Sequence, residues 1–156
     1  MPPFRFFAAV LALASAPALL HAQREKLPLE DLDFVEKTWP QAKISNTGIR
    51  YVIEREGRGP LIMPGDIVMV HYVGKLLNGK VFDQNHDDKH PFTFRVDRGA
   101  VIEGWDQIFQ LMRLGDKWTV IVPPELAYGR RGSPPKIPGY ATLVFDIEVV
   151  GVKKDT

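Results

Sequence analysis

GAVIEGWDQIFQLMRLG, residues 99–115, is the stretch on which the fold turns. Trp105, Ile108, Phe109 and Met112 fall at i, i+3, i+4 and i+7, one stripe of a helix. Gly115 supplies a stop. Val101 and Ile102 lead into the helix, which puts Trp105 in its first turn. There the indole either joins the core, as large aromatics mostly do, or floors a cavity. The flanking segments decide between the two.

On either side of that helix the apolar period changes from helical to two. Phe92, Phe94 and Val96 share one side of a strand against Thr93 and Arg95, and Trp118, Val120 and Val122 alternate with Lys117, Thr119 and Ile121. Farther back, Ile49, Tyr51 and Ile53 alternate with Arg50, Val52 and Glu54 up to a Gly-Arg-Gly-Pro turn. Residues 66–77 carry Val68, Val70 and Tyr72 on one face and Ile67, Met69, His71 and Val73 on the other, the mark of a central strand. Asn78-Gly79 is a hairpin signal that returns the chain through Lys80, Val81 and Phe82. Residues 123–140 hold five prolines and three glycines and read as loop, with one helical turn at 125–127. Residues 141–152 close the domain with Leu143, Phe145, Ile147 and Val149 on one face. These segments describe an α+β domain, one antiparallel sheet packed on a short α-helix. In that register Tyr72, Phe82, Phe92 and Phe145 face the helix, which is the aromatic lining a floor at Trp105 requires.

A chain of 156 residues is one domain with attachments. Residues 1–22 have one arginine, no acid and an apolar run, the pattern of a secretory signal peptide, cleaved after Ala22 or, on a second small-x-small pattern, after Ala18. Its removal takes Arg5 alone among the charged residues and leaves 19 basic against 19 acidic side chains. Such a balance gives no footprint for nucleic acid or an anionic membrane. With no cysteine, disulfides, thiol chemistry and a lipoprotein anchor are excluded. An exported protein of the bacterial periplasm, or a secreted one, is the expectation. In residues 23–45, Leu32, Val35 and Trp39 keep helical spacing between Pro28 and Pro40, which predicts a short N-terminal helix that packs on the domain, stays loose or pairs with a second copy.

Little in the chain suits bond-breaking chemistry. His86, Asp87, Asp88 and His90 occur together, but in a turn-rich polar loop better read as solvated than as a metal site. There is no nucleophile elbow and no glycine-rich phosphate motif. What remains is an apolar lining with two polar handles, Asp83 and Tyr128. That combination suits a small apolar group whose carbonyl accepts a hydrogen bond.

Six ordered motifs carry a resemblance: His-Tyr-Val-Gly at 71–74, Asn-Gly-Lys-Val-Phe-Asp at 78–83, Pro-Phe-Thr-Phe at 91–94, Val-Ile-Glu-Gly-Trp at 101–105, Pro-Glu-Leu-Ala-Tyr-Gly at 124–129 and Ala-Thr-Leu-Val-Phe-Asp at 141–146. Through them residues 47–152 resemble the FK506-binding-protein-type (FKBP-type) peptidyl-prolyl cis-trans isomerases, and the domain is expected over 46–153 with a tail at 154–156. The resemblance implies a sheet curled around the short helix. Trp105 would form the pocket floor, Tyr72, Phe82, Phe92 and Phe145 its walls, and Asp83 and Tyr128 its polar groups. Val101 and Ile102 would bring backbone to the substrate, and Ile137 would cap the site. It also implies proline-containing unfolded polypeptides and FK506-type macrolides as partners, a monomer or weak dimer, and no metal or organic cofactor. Four positions depart from the family pattern: Glu103, Ser133, Gly139 in Ile137-Pro138-Gly139, and Asp88 beside Lys89 in the loop after Phe82-Asp83. On this reading Trp105→Ala cripples peptide binding and Lys154→Ala does nothing.

Overall fold

The computed structural model describes residues 25–156; the leader expected at 1–22 lies outside the described residues. Helix α1, Leu29–Thr38, begins after the extended Pro28 and carries Glu30 and Asp31 in its first turn and Lys37 in its last, charges that complement the helix dipole. It packs on the domain, one of the three outcomes left open by its sequence. Val35 is fully buried with Leu27, Ile121 and Val144, and Leu32, Trp39 and Leu77 surround that seat.

Seven strands follow among the described residues: β1 Lys43–Ile44, β2 Arg50–Arg55, β3 Ile67–Leu76, β4 Val81–Asn85, β5 Phe92–Arg95, β6 Lys117–Val122 and β7 Leu143–Lys153. They form one antiparallel sheet in the order β1-β2-β6-β7-β3-β4, with β5 also on β3. The expected central strand is β3. It pairs with β7 along its length, from Ile67↔Lys153 to Leu76↔Leu143, while β5 and β4 divide its other edge. Strand β6 is buried on both faces from Trp118 to Val122, because α1 covers Ile121 and the second helix covers Val120 and Val122.

That second helix, α2, spans only Glu103–Ile108 and runs into a tight turn at Phe109–Leu111. The stripe expected from residues 99–115 is buried, but Met112 has extended backbone and Gly115 ends no helix. The cause lies elsewhere in the chain. Met112 O accepts from Ile62 N–H (3.0 Å), Leu114 N–H donates to Pro60 O (3.1 Å), and Leu114 O accepts from Gly59 N–H (3.0 Å). Backbone committed to residues 59–62 cannot continue a helix. Gly115, at φ +94, instead turns the chain into β6. Gly104 lets α2 approach the sheet: a Cβ there would lie 2.5 Å from Val122 Cγ1.

The C-terminal tail is also part of the fold: Lys154 and Asp155 both bond to Asp66. Asp66, 2% exposed, accepts from Lys154 Nζ (2.5 Å), Met63 N–H (2.8 Å) and Asp155 N–H (3.0 Å). Burial pushes its pKa up, but the ammonium and the two amides outweigh burial and hold the carboxyl below its usual range. A carboxyl depressed on folding stabilises the native state above about pH 3.9, and that contribution is lost as pH falls through the folded value. Thermal unfolding midpoints should therefore drop more steeply below pH 4 in the native protein than in Asp66→Asn. Lys154→Ala should cost roughly 1 kcal/mol at neutral pH, discounted because its ammonium is half-exposed. Equal acid slopes would reject this account of Asp66.

Candidate functional site

The sheet's concave face, α2 and the loops at their common end enclose a cavity of about 170 Å³. Its lining comprises Tyr72 from β3, Phe82 and Asp83 from β4, Phe92 from β5, Ala100, Val101, Ile102 and Trp105 at the start of α2, Tyr128 from the loop after β6, and Phe145 from β7. Volume alone does not single it out. Clefts of about 410 and 450 Å³ lie elsewhere, but polar residues such as Ser45, Asn46, Gln107 and Gln110 line the first, and Glu25, Glu36 and Arg50 the second. The smaller cavity is where six aromatic side chains converge, and about 150 Å³ is enough for one benzene ring.

Trp105 is both core and floor. It is 4% exposed, yet it lines the cavity. Its ring meets Tyr72 edge-on at 5.1 Å between centroids, Phe145 at 5.2 Å and Phe92 at 5.9 Å. Phe109 and Phe94 brace it at 5.3 and 5.7 Å. Edge-to-face contacts of this kind hold each ring in one orientation. Phe82 stands edge-on to Phe145 at 5.7 Å, and Gly74 makes room for both: a Cβ there would lie 2.7 Å from the Phe82 ring and 3.0 Å from that of Phe145. The indole Nε1 has no hydrogen-bond partner among the described residues.

The polar groups lie at the rim. Tyr72 Oη donates to Asp83 Oδ2 at 2.6 Å, and Asp83 Oδ1 accepts from Gln84 N–H at 2.9 Å. Burial, the Asp83 hydrogen bond and the Asp83 charge push the Tyr72 phenol well above its ordinary pKa. Burial and the same carboxylate raise that of Tyr128. Both phenols therefore remain hydrogen-bond donors at neutral pH. Ile102 precedes the first residue of α2, where an amide has no intrahelical acceptor.

Nine of the ten expected site residues thus share one cavity. Ile137 does not line it; this residue is 4% exposed and packs in the main core. Lys89 does not reach Asp83: its N–H donates to Asp87 Oδ1, and the carboxylate is held by Tyr72 instead. Asp87 also accepts from His90 and organises the loop at 86–90. Three contributors escaped the sequence reading. Ala100 lines the cavity with a methyl group that carries no signal. Phe109 enters the sequence reading only as part of the stripe, and Asp106 does not enter it at all, although its carboxylate takes Asp97 N–H (2.8 Å) and Gly99 N–H (2.9 Å) and sets the turn before Ala100.

A sheet folded over a short helix, with an aromatic hollow and a hydrogen-bonding rim, has the shape and polarity that suit a small apolar group whose carbonyl accepts a hydrogen bond. Residues 59–150 match the family model of the FKBP-type peptidyl-prolyl cis-trans isomerase. The rat (Rattus norvegicus) peptidyl-prolyl cis-trans isomerase FKBP4 is 44% identical over 133 residues, covering 85% of this chain and 28% of its own. A probable FKBP-type isomerase of Haemophilus influenzae is 44% identical over 110 residues, covering 70% of this chain and 45% of its own. A solved isomerase from Pseudomonas syringae pv. tomato superposes with a TM-score of 0.71 at 35% identity, over 90% of this chain and 98% of that one. The chain belongs to the FKBP-type peptidyl-prolyl cis-trans isomerase family. It spans only 28% and 45% of the length of the two curated relatives.

Proposed function

We propose that this protein accelerates cis-trans isomerisation of Xaa-Pro bonds in exported, incompletely folded polypeptides. One observation carries the reading: the cavity floored by Trp105 and walled by Tyr72, Phe82, Phe92 and Phe145, with Asp83 and Tyr128 at its edge. The leader pattern at 1–22 supports the bacterial periplasm as its place, and no helix among the described residues is long and apolar enough to cross a membrane.

An Xaa-Pro amide is held planar by resonance, with a barrier of about 18–20 kcal/mol for amide rotation, and the two isomers exchange in tens to hundreds of seconds. No covalent bond breaks on the way. The catalyst has only to bind the twisted amide more tightly than either planar form. In the cavity the pyrrolidine ring rests on the Trp105 indole, and the aromatic walls exclude water from the amide. The resonance-broken state carries less charge separation, so leaving water costs it less than it costs the planar ground states. Val101 lines the approach, and the Ile102 N–H donates to a substrate carbonyl. Asp83 holds the Tyr72 hydroxyl, and Tyr128 supplies a second donor at the mouth. No proton is transferred, and none of these steps calls for a metal or cofactor. FK506-type macrolides should compete for the same cavity.

The test is the cis-to-trans rate of a Xaa-Pro peptide with the full chain, with and without such a macrolide. Macrolide-sensitive acceleration is expected. Because both phenols stay protonated, kcat/KM should be flat from pH 7 to 9, and Tyr72→Phe should lower it by roughly tenfold or less, the loss of one buried hydrogen bond. Peptide bound at the background rate would favour the second reading, a non-catalytic chaperone module using the same cleft.

A further inference from the structure

The loop at residues 123–142 brings Tyr128 to the cavity, and it is a braced unit on two stalks. Gly129 N–H donates to Pro124 O (2.8 Å), Tyr140 N–H to Gly129 O (2.9 Å), and Ser133 and Ile137 exchange backbone hydrogen bonds at 2.8 and 3.0 Å. Arg130 Nε donates to Tyr140 Oη at 2.8 Å. Both stalks are gripped by the N-terminal segment. At the first, the Lys26 ammonium pairs with the Glu125 carboxylate. At the second, the Thr142 hydroxyl, in a residue 3% exposed, donates to Asp31 Oδ2 in the first turn of α1 at 2.6 Å. That segment is itself fixed to the sheet: Arg50, 7% exposed, donates through Nη2 to Glu25 Oε2 at 2.5 Å, and Val35 of α1 is fully buried against Ile121 and Val144.

Tyr128 lies three residues past the first stalk and Phe145 three past the second, and both line the cavity. Slack at either stalk therefore reaches a pocket wall. We infer that α1 acts as a clamp on this loop, and that Asp31 is a positioning residue for the prolyl pocket though it does not line it. Releasing Thr142 from Asp31 strands a buried hydroxyl and lowers the free energy at which the loop opens. The open loop no longer presents Tyr128, so substrate binds only to the closed fraction and KM rises, while the closed complex turns over as before.

The inference rests on the isomerase reading only where activity is the readout, so the experiment has two arms on the full chain. In the first, Thr142→Val and Asp31→Ala should each raise KM for a Xaa-Pro peptide roughly threefold to tenfold with kcat within about twofold. The double variant should do no worse than either single one, since one bond is lost, and Thr142→Ser should restore KM. Lys26→Ala, on an exposed pair, should move KM by about twofold or less. In the second arm, a threefold to tenfold rise in KM requires the loop to be open more than half the time, so the Gly129, Ile137 and Tyr140 amides should lose most of their protection from hydrogen exchange in Thr142→Val and Asp31→Ala, with the β3 amides unchanged. Unchanged loop exchange, or loop and β3 amides accelerating together, overturns the clamp. A wild-type chain that turns over no peptide rejects the isomerase reading instead and leaves the exchange arm to decide. Should Thr142→Val fail to fold, Asp31→Ala, on a half-buried side chain, carries both arms.

Discussion

Trp105→Ala is expected to lower kcat/KM for a Xaa-Pro peptide by roughly a hundredfold or more, the largest loss of any single cavity residue. A hundredfold corresponds to about 2.7 kcal/mol of transition-state binding. In the proposed mechanism the indole supplies that much because the pyrrolidine would rest on it, and it is the ring against which Tyr72, Phe92 and Phe145 are oriented. Truncation opens the floor, admits water, and frees three wall rings to turn. It also leaves a void among Phe94, Phe109 and their neighbours, at a cost of about 3–5 kcal/mol of stability. A domain stable by about 5–15 kcal/mol survives most of that range, but the two losses must be separated. Trp105→Leu keeps the seat filled with an apolar side chain and should retain much of the stability while still losing roughly tenfold in kcat/KM. Lys80→Ala, on an exposed residue beside the hairpin turn, is the control and should change neither quantity. Native turnover by folded Trp105→Ala, or a comparable loss in Lys80→Ala, would remove Trp105 from the mechanism.

That the indole could be assigned from sequence at all follows from the sheet. Strict alternation in β3, β5 and β7 fixes which side chains share a face, and Tyr72, Phe92 and Phe145 must then meet whatever covers that face. The helix itself was less legible. Its stripe at 105, 108, 109 and 112 is satisfied although α2 ends at Ile108, because the tight turn at Phe109–Leu111 and the extended Met112 still direct these side chains inward. Local spacing cannot distinguish a helix from a shorter helix whose continuation is claimed by a segment fifty residues away, as residues 59–62 claim 112–114 here. The bond from Lys154 to Asp66 is illegible for the same reason: Asp66 immediately precedes β3, and only the closed sheet brings the two together. Ile137 was expected at the cavity because its motif resembles the family pattern, whereas its place is decided by how the braced loop seats on the core.

Asp106→Ala should be the second most damaging change near the cavity, and it tests how the fold holds the site in place. Asp106 sits beside Trp105 on α2, is 8% exposed, and accepts both Asp97 N–H and Gly99 N–H. Those residues form a turn with φ +59 at Asp97 and +67 at Gly99. A non-glycine residue pays for left-handed backbone, so Asp97 keeps this conformation only while its surroundings enforce it. The turn delivers Ala100, Val101 and Ile102 to the cavity rim, and with them the amide assigned to the substrate carbonyl. Removing the carboxylate leaves two amides short of an acceptor, at about 1–3 kcal/mol each where they stay buried, so a loss of roughly 2–4 kcal/mol is expected. The rim then relaxes away from the Trp105 floor. A displaced hydrogen-bond donor is lost in ground and transition states alike, so KM should rise and kcat/KM fall by roughly tenfold or more. Asp106→Asn retains one acceptor oxygen and should fall between, at about half the loss in stability. Thermal unfolding and steady-state kinetics on the three proteins give the order native, Asn, Ala in both quantities if the turn is what Asp106 holds. Stability lost with kcat/KM intact would mean that the rim keeps its shape without the carboxylate, and the Ile102 amide would then need another source of its position.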